Sequence, residues 1–236
     1  MQTLFGFSAL DAFALVFFCA VWMSHYYIVN RSVWRDKTIT SAMKVMRGRW
    51  MDNVVNRGDS PKDAVIQTAL QQGVLFFAST TVLLIGGLAA GLGAAERGIA
   101  VLQEIPLSTT ETALHWEVKI LLVVFIFVYA FFKFAWSYRL YNYVMIMIGA
   151  APEGSDDNID EHKKLHAKKL TMAHALAAKH FTTGLNSYFF ALAAITWFIN
   201  AWLFVAATIW VALVLYRRAF RSEFLQIIIM VSDAKQ

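Results

Sequence analysis

From Ile120 to Ile148 the chain reads ILLVVFIFVYAFFKFAWSYRLYNYVMIMI, 29 residues in which only Lys133 and Arg139 carry charge. An aqueous core does not bury a helix on every face over such a length. A bilayer core takes about 20 apolar residues at about 1.5 Å each, and this run would reach roughly 43 Å. It is therefore expected to cross a membrane and continue past it, with its polar end, Ser137 to Tyr143, near one interface. A basic side chain inside a span is costly unless it snorkels or faces protein or water. That singles out Lys133.

Composition extends the argument to the whole chain. Of 236 residues, 58% are hydrophobic and only 16% charged, against about 25% charged in soluble domains. Mean hydropathy is +0.52 and the pI is near 9.3. The basic residues sit in connections between apolar runs, which suits anionic headgroups on the cytoplasmic side and not nucleic acid. Nucleic-acid binding would also need a basic, aromatic-bearing surface larger than these loops can build. The lone cysteine, Cys19, excludes an intramolecular disulfide and leaves the redox compartment open. Asp11 interrupts the first apolar stretch and no basic n-region precedes it, so no cleaved signal peptide is expected.

The expected fold is all-α: a polytopic membrane bundle forming one domain over residues 1–236, with spans at about 8–29, 73–94, 118–139, 182–199 and 202–218. Residues 30–72 and 149–181 are the cytoplasmic connections. Within the first, Met43, Met46, Trp50 and Val54 recur at helical spacing, as in a basic amphipathic helix lying on the membrane surface. Ser60-Pro61-Lys62-Asp63 reads as a helix start, with Ser60 as the cap. Gly86, Gly87 and Gly91 line a small-residue face, either for packing inside one subunit or for a homo-oligomer seam. Residues 94–119 read as a loop. The helix from Ile120 ends near Gly149, an acidic linker follows, and a Lys- and His-rich helix runs from Glu161 to His180.

The last apolar run, Phe181 to Tyr216, spans 36 residues, too many for one ordinary crossing. Crossing once would put Arg217, Arg218 and Arg221 opposite the two basic connections. A tight turn at Asn200 to Trp202 makes a helical hairpin and returns them to the same side. The positive-inside bias selects the hairpin, hence five spans with the N-terminus outside and the C-terminus cytoplasmic, in a cell inner membrane. Inside segments then carry eight, five and four Lys/Arg, and the outside loop two. Trp116, Trp197 and Trp202 would form an outer aromatic belt.

The runs FFASTTVLLIGGLAA from Phe76, FVYAFFKFAWSYRLYNY from Phe127 and AKHFTTGLNSYFFALAAITWF from Ala178 resemble the bacterial branch of the domain-of-unknown-function 599 family. The resemblance covers nearly the whole chain. It implies a multi-span membrane protein without an assigned activity, and so carries over no catalytic residue. It also implies a chain break near Asn200-Ala201, in keeping with the hairpin.

Depth along the helices gathers His25, Lys133, Arg139, Asn186, Tyr188 and Arg217 in the inner leaflet with no acid at their level. By the helical rise Lys133 lies about 20 Å and His25 about 25 Å from the outer edge, whereas Asp11 lies near that edge, too far to pair with Lys133. Two readings stand: Lys133 and Arg139 snorkel as anchors, or the set forms a cationic pocket for an anion or lipid headgroup. His162 and His166 share a helix face at i, i+4 and are the only metal candidates, without nearby cysteine. A buried haem would need two facing histidines inside spans, and only His25 is clearly inside one. No GxSxG, HExxH, P-loop or nucleotide-binding glycine pattern occurs. The expectation is a non-enzymatic subunit, scaffold or small pore with no cofactor. The alternative is a membrane enzyme or redox protein acting on a lipid or quinone at that pocket.

Overall fold

A computed structural model describes residues 8–31, 38–57, 60–104, 112–152, 154 and 157–233. Helix α1, Ala9–Asn30, starts on a reciprocal cap in which Ser8 Oγ accepts the Asp11 N–H at 3.1 Å and the Asp11 carboxylate accepts the Ser8 N–H at 3.3 Å. Helix α2 is Ile39–Arg57 and α3 is Pro61–Leu92, with proline in its first turn. A short α4, Ala95–Gln103, precedes α5, Ala113–Gly149. Helix α6, Asp157–Ile195, ends in a 3-10 turn at Thr196–Phe198. Asn200 breaks the chain with extended backbone and caps α7, Ala201–Phe220, by accepting the Leu203 N–H at 2.7 Å. Helix α8, Glu223–Asp233, closes the described chain.

No strand occurs among the described residues. Among the described residues, four helical stretches are long and apolar enough to cross a membrane: Ala9–Asn30, Pro61–Leu92, Ala113–Gly149 and Ala201–Ile228. Helix α6 is less apolar because Lys179, His180, Thr182, Thr183, Asn186 and Ser187 interrupt its second half. The fold is an all-α helical membrane bundle with a C-terminal helical hairpin.

The antiparallel pair α5 and α6 forms the central seam. Phe134 meets Phe181, Ser137 Oγ donates to the Ala177 carbonyl at 2.8 Å, and Tyr141 packs on His174. The seam closes because Gly184 has no side chain: a Cβ there would sit 2.5 Å from Phe134 Cε1. Helix α3 packs on the other face of α5, with Gln67 and Gln71 at one end and Gly91 at the other. Helices α1 and α7 cover the second half of α6, where Phe18 joins Phe190 and Phe204. Helix α2 lies along the first half of α6 and carries α8.

Several expectations change here. Helix α2 does not rest its apolar face on a membrane surface. Met51, Val54 and Val55 are buried, in a core shared with Val144 of α5 and with Ala167 and Leu170 of α6. Ser60 makes no side-chain cap, while Asp63 stands in the first turn of α3 and accepts from Trp50 and Arg57. The segment read as a loop at 94–119 contains α4 and the first turns of α5. The hairpin turn lies a few residues earlier than expected. The Lys- and His-rich helix and the span after it are one continuous α6, since no residue between them disfavours helix. Trp197 is not a belt residue: it is 1% exposed, whereas Trp202 is 67% exposed.

Candidate functional site

Helix α5 presents Lys133 half-buried, its ammonium 5.0 Å from the centre of the Tyr129 ring one turn earlier. Such a contact offsets part of the cost of a desolvated charge. Tyr129 in turn meets Trp22 of α1 edge-on at 5.6 Å. The two helices diverge here and leave an open groove of about 770 Å³ lined by Trp22, Met23, Tyr26, Tyr27, Phe125, Tyr129 and Arg31 among others. Aromatic walls suit an acyl chain or ring, and Arg31 adds one cationic group to the lining; Lys133 reaches it only through the Tyr129 ring. His180 of α6 lies on the same side. Burial first, then the charges of Lys133 and Lys179, push its imidazole below the ordinary histidine value.

The other expected site residues divide into separate groups. Asn186 Nδ2 reaches His25 Nε2 at 3.4 Å, and His25 also lines an apolar crevice of about 430 Å³ between α1 and α7. Tyr188 turns to α3, its hydroxyl 2.6 Å from Thr81 Oγ1 and 3.2 Å from the Phe77 carbonyl, which accepts from it. Arg139 and Arg217 are exposed. Helix α6 turns Asn186 toward α1 and Tyr188 toward α3, so the two lie on different faces. Of the expected six, His25 and Asn186 touch directly and Lys133 gains partners outside the set.

The metal candidates do not converge. His166 Nε2 lies 2.7 Å from the Met147 carbonyl, His162 is exposed, and no group of three ligating side chains occurs among the described residues. On α3, a Cβ on Gly91 would meet Ile120 at 3.3 Å, and the Gly91 carbonyl accepts from Trp116 Nε1 at 2.9 Å. Gly91 therefore serves packing inside the subunit. Gly86 and Gly87 have nothing within 4 Å of a built Cβ.

Two polar clusters escaped the sequence reading. At one end of the bundle Lys119, 2% exposed, donates to the Trp197 carbonyl at 2.9 Å while Trp197 Nε1 donates to Asp11 Oδ1 at 2.9 Å. That chain ties α5, the hairpin turn and α1 together over 186 residues of sequence. At the other end, Asp63 accepts from Trp50 Nε1 at 2.8 Å and pairs with Arg57 at 2.5 Å, while Trp50 and Tyr141 enclose His174. The spacing of Trp50 marked that face as apolar, and nothing in the sequence linked it to Arg47 or His174.

These features define a helical membrane bundle with open crevices on both sides of α1. Residues 13–224 match the model of the family described as Protein of unknown function, DUF599, and the chain belongs to that family. No curated protein matches the chain, and no solved structure does.

Proposed function

We propose that this chain is a non-enzymatic subunit, scaffold or small pore of the cell inner membrane that holds an anionic lipid headgroup at Lys133. We also read it as a member of the bacterial branch of its family. Lys133 carries the functional reading. It is half-buried on a long apolar helix, forms no ion pair with a carboxylate among the described residues, and contacts the ring of Tyr129, which lines an open aromatic groove. A simple snorkelling anchor would not need that groove or the neighbouring His180.

We infer five crossings with an outside N-terminus, which would put Lys133 in the inner leaflet. Along α1, α3, α5, α6 and α7 the chain direction alternates, which brings Asp11, Gly91, Trp116, Lys119 and Trp197 to one end. The segments meeting at the opposite end hold eight, five and four Lys/Arg, against two in the connection at the first end. A homo-oligomer would use the open Gly86 and Gly87 face of α3. A second reading, an enzyme or redox protein acting on a lipid or quinone, draws on the His25–Asn186 pair beside the α1–α7 crevice.

Native mass spectrometry of protein released from mild detergent tests the first reading. Wild type and Lys133→Arg should retain co-purified anionic lipid. Lys133→Gln should lose it about tenfold, the scale of one hydrogen bond to a charged group. Equal retention in all three leaves Lys133 as an anchor.

A further inference from the structure

Where α2, α3, α5 and α6 meet, three side chains from three helices carry hydrogen-bonding atoms that no described residue satisfies. Arg47 Nη1 of α2 is buried without a partner. His174 of α6 is 2% exposed, and its ring nitrogens meet no partner on another residue, only the backbone of His174 itself. Gln67 of α3 is 0% exposed; its Nε2 donates to the Tyr141 carbonyl at 3.4 Å, but its Oε1 accepts nothing. The three surround Tyr141, whose ring packs on His174 at 5.2 Å, whose carbonyl accepts from Gln67, and which lies within the field of the Arg47 charge. Buried polar atoms are satisfied in the great majority of cases, and a buried charge without a counter-charge is costly. Asp63, the acid at this junction, is already engaged by Trp50 and Arg57, and no carboxylate among the described residues pairs with Arg47.

We propose that this junction binds a protonated phosphate group, either hydrogen phosphate or the phosphomonoester head of a lipid. The unmet atoms match its chemistry. The Arg47 N–H and the one N–H of a neutral His174 donate to phosphate oxygens, and the guanidinium supplies the positive charge. Gln67 Oε1 and the second His174 nitrogen accept, and the P–O–H of a monoprotonated phosphate is a donor that fits one of them. Chloride offers no such donor, and a carboxylate is ionised at neutral pH and only accepts. The site is separate from the α1–α5 groove and uses none of its residues.

Thermal unfolding of the full chain in detergent tests this, with inorganic phosphate titrated against chloride at constant ionic strength. Wild type should be stabilised by phosphate, and Arg47→Gln should need about tenfold more phosphate for the same rise. His174→Phe should lose the response too, which keeps the test decisive should Arg47→Gln fail to fold. Lys168→Gln, exposed on the same helix, should respond as wild type. A response absent in detergent but restored in nanodiscs by phosphatidic acid, and not by phosphatidylcholine, assigns the phosphate to a lipid. No response to either source, or equal responses in wild type and Arg47→Gln, overturns the proposal and leaves ordered water as the partner of these groups.

Discussion

His174 shows what burial does to a titratable group in the first half of α6. Burial first, then the Arg47 charge, pushes its imidazole down to about 4 from the usual 6.5. The groups packed around it are Arg47 and Trp50 of α2, Gln67 of α3 through Tyr141, and Tyr141 of α5. Between those two values the unfolded chain binds a proton that the folded chain refuses. Stability is therefore complete above about pH 6.5 and falls as the pH drops toward 4, by at most about 3 kcal/mol for this group. His174→Phe keeps a ring between Trp50 and Tyr141 and removes the titration. Its thermal midpoint should fall less than that of wild type between pH 7 and about pH 4.5. Parallel decline in both proteins would mean that His174 does not titrate on unfolding in that range. Helical spacing puts His174 off the face that carries His162, and it says which residues share a side and not what packs against it.

At the scale of elements, the long helices were legible because their apolar runs exceed what any soluble helix needs. Starts were legible where Pro61 and Asn200 stand at first-turn and cap positions. Less legible were α4 and α8, short helices whose sequences carry too few residues to separate helix from loop. The α5–α6 seam depends on Gly184 against Phe134. A methyl group there forces an aromatic ring to move within a packed seam, so Gly184→Ala should destabilise by about 1–3 kcal/mol. Chemical denaturation in mixed micelles measures this. Gly87→Ala, with open space at its Cβ, is the matched control and should stay near wild type. Equal stability of the two variants would show that Phe134 rotates away without cost.

For the whole molecule, alternation of helix direction and the bias of Lys/Arg give one prediction about orientation. Reporter domains fused after Gln236 and inserted within residues 105–111 should fall on opposite sides of the membrane, with the C-terminal one cytoplasmic. A C-terminal reporter on the outer side would reduce the hairpin to one crossing or invert the bundle. The choice matters for function, because Lys133 lies in the inner leaflet only in the proposed orientation.

Chain length and hydropathy alone determined that this protein is a helical membrane bundle, since lipid requires each spanning segment to satisfy its own backbone. The break at Asn200 and the basic connections followed from the same local rules. Tertiary structure decided which polar groups meet. Rotation of α6 about its axis separates Tyr188 from Asn186, and the docking of α2 carries Arg47 to His174 across 127 positions of sequence. Depth is additive along a helix and can be counted from residues. Azimuth depends on how several helices pack at once, and no single segment encodes it.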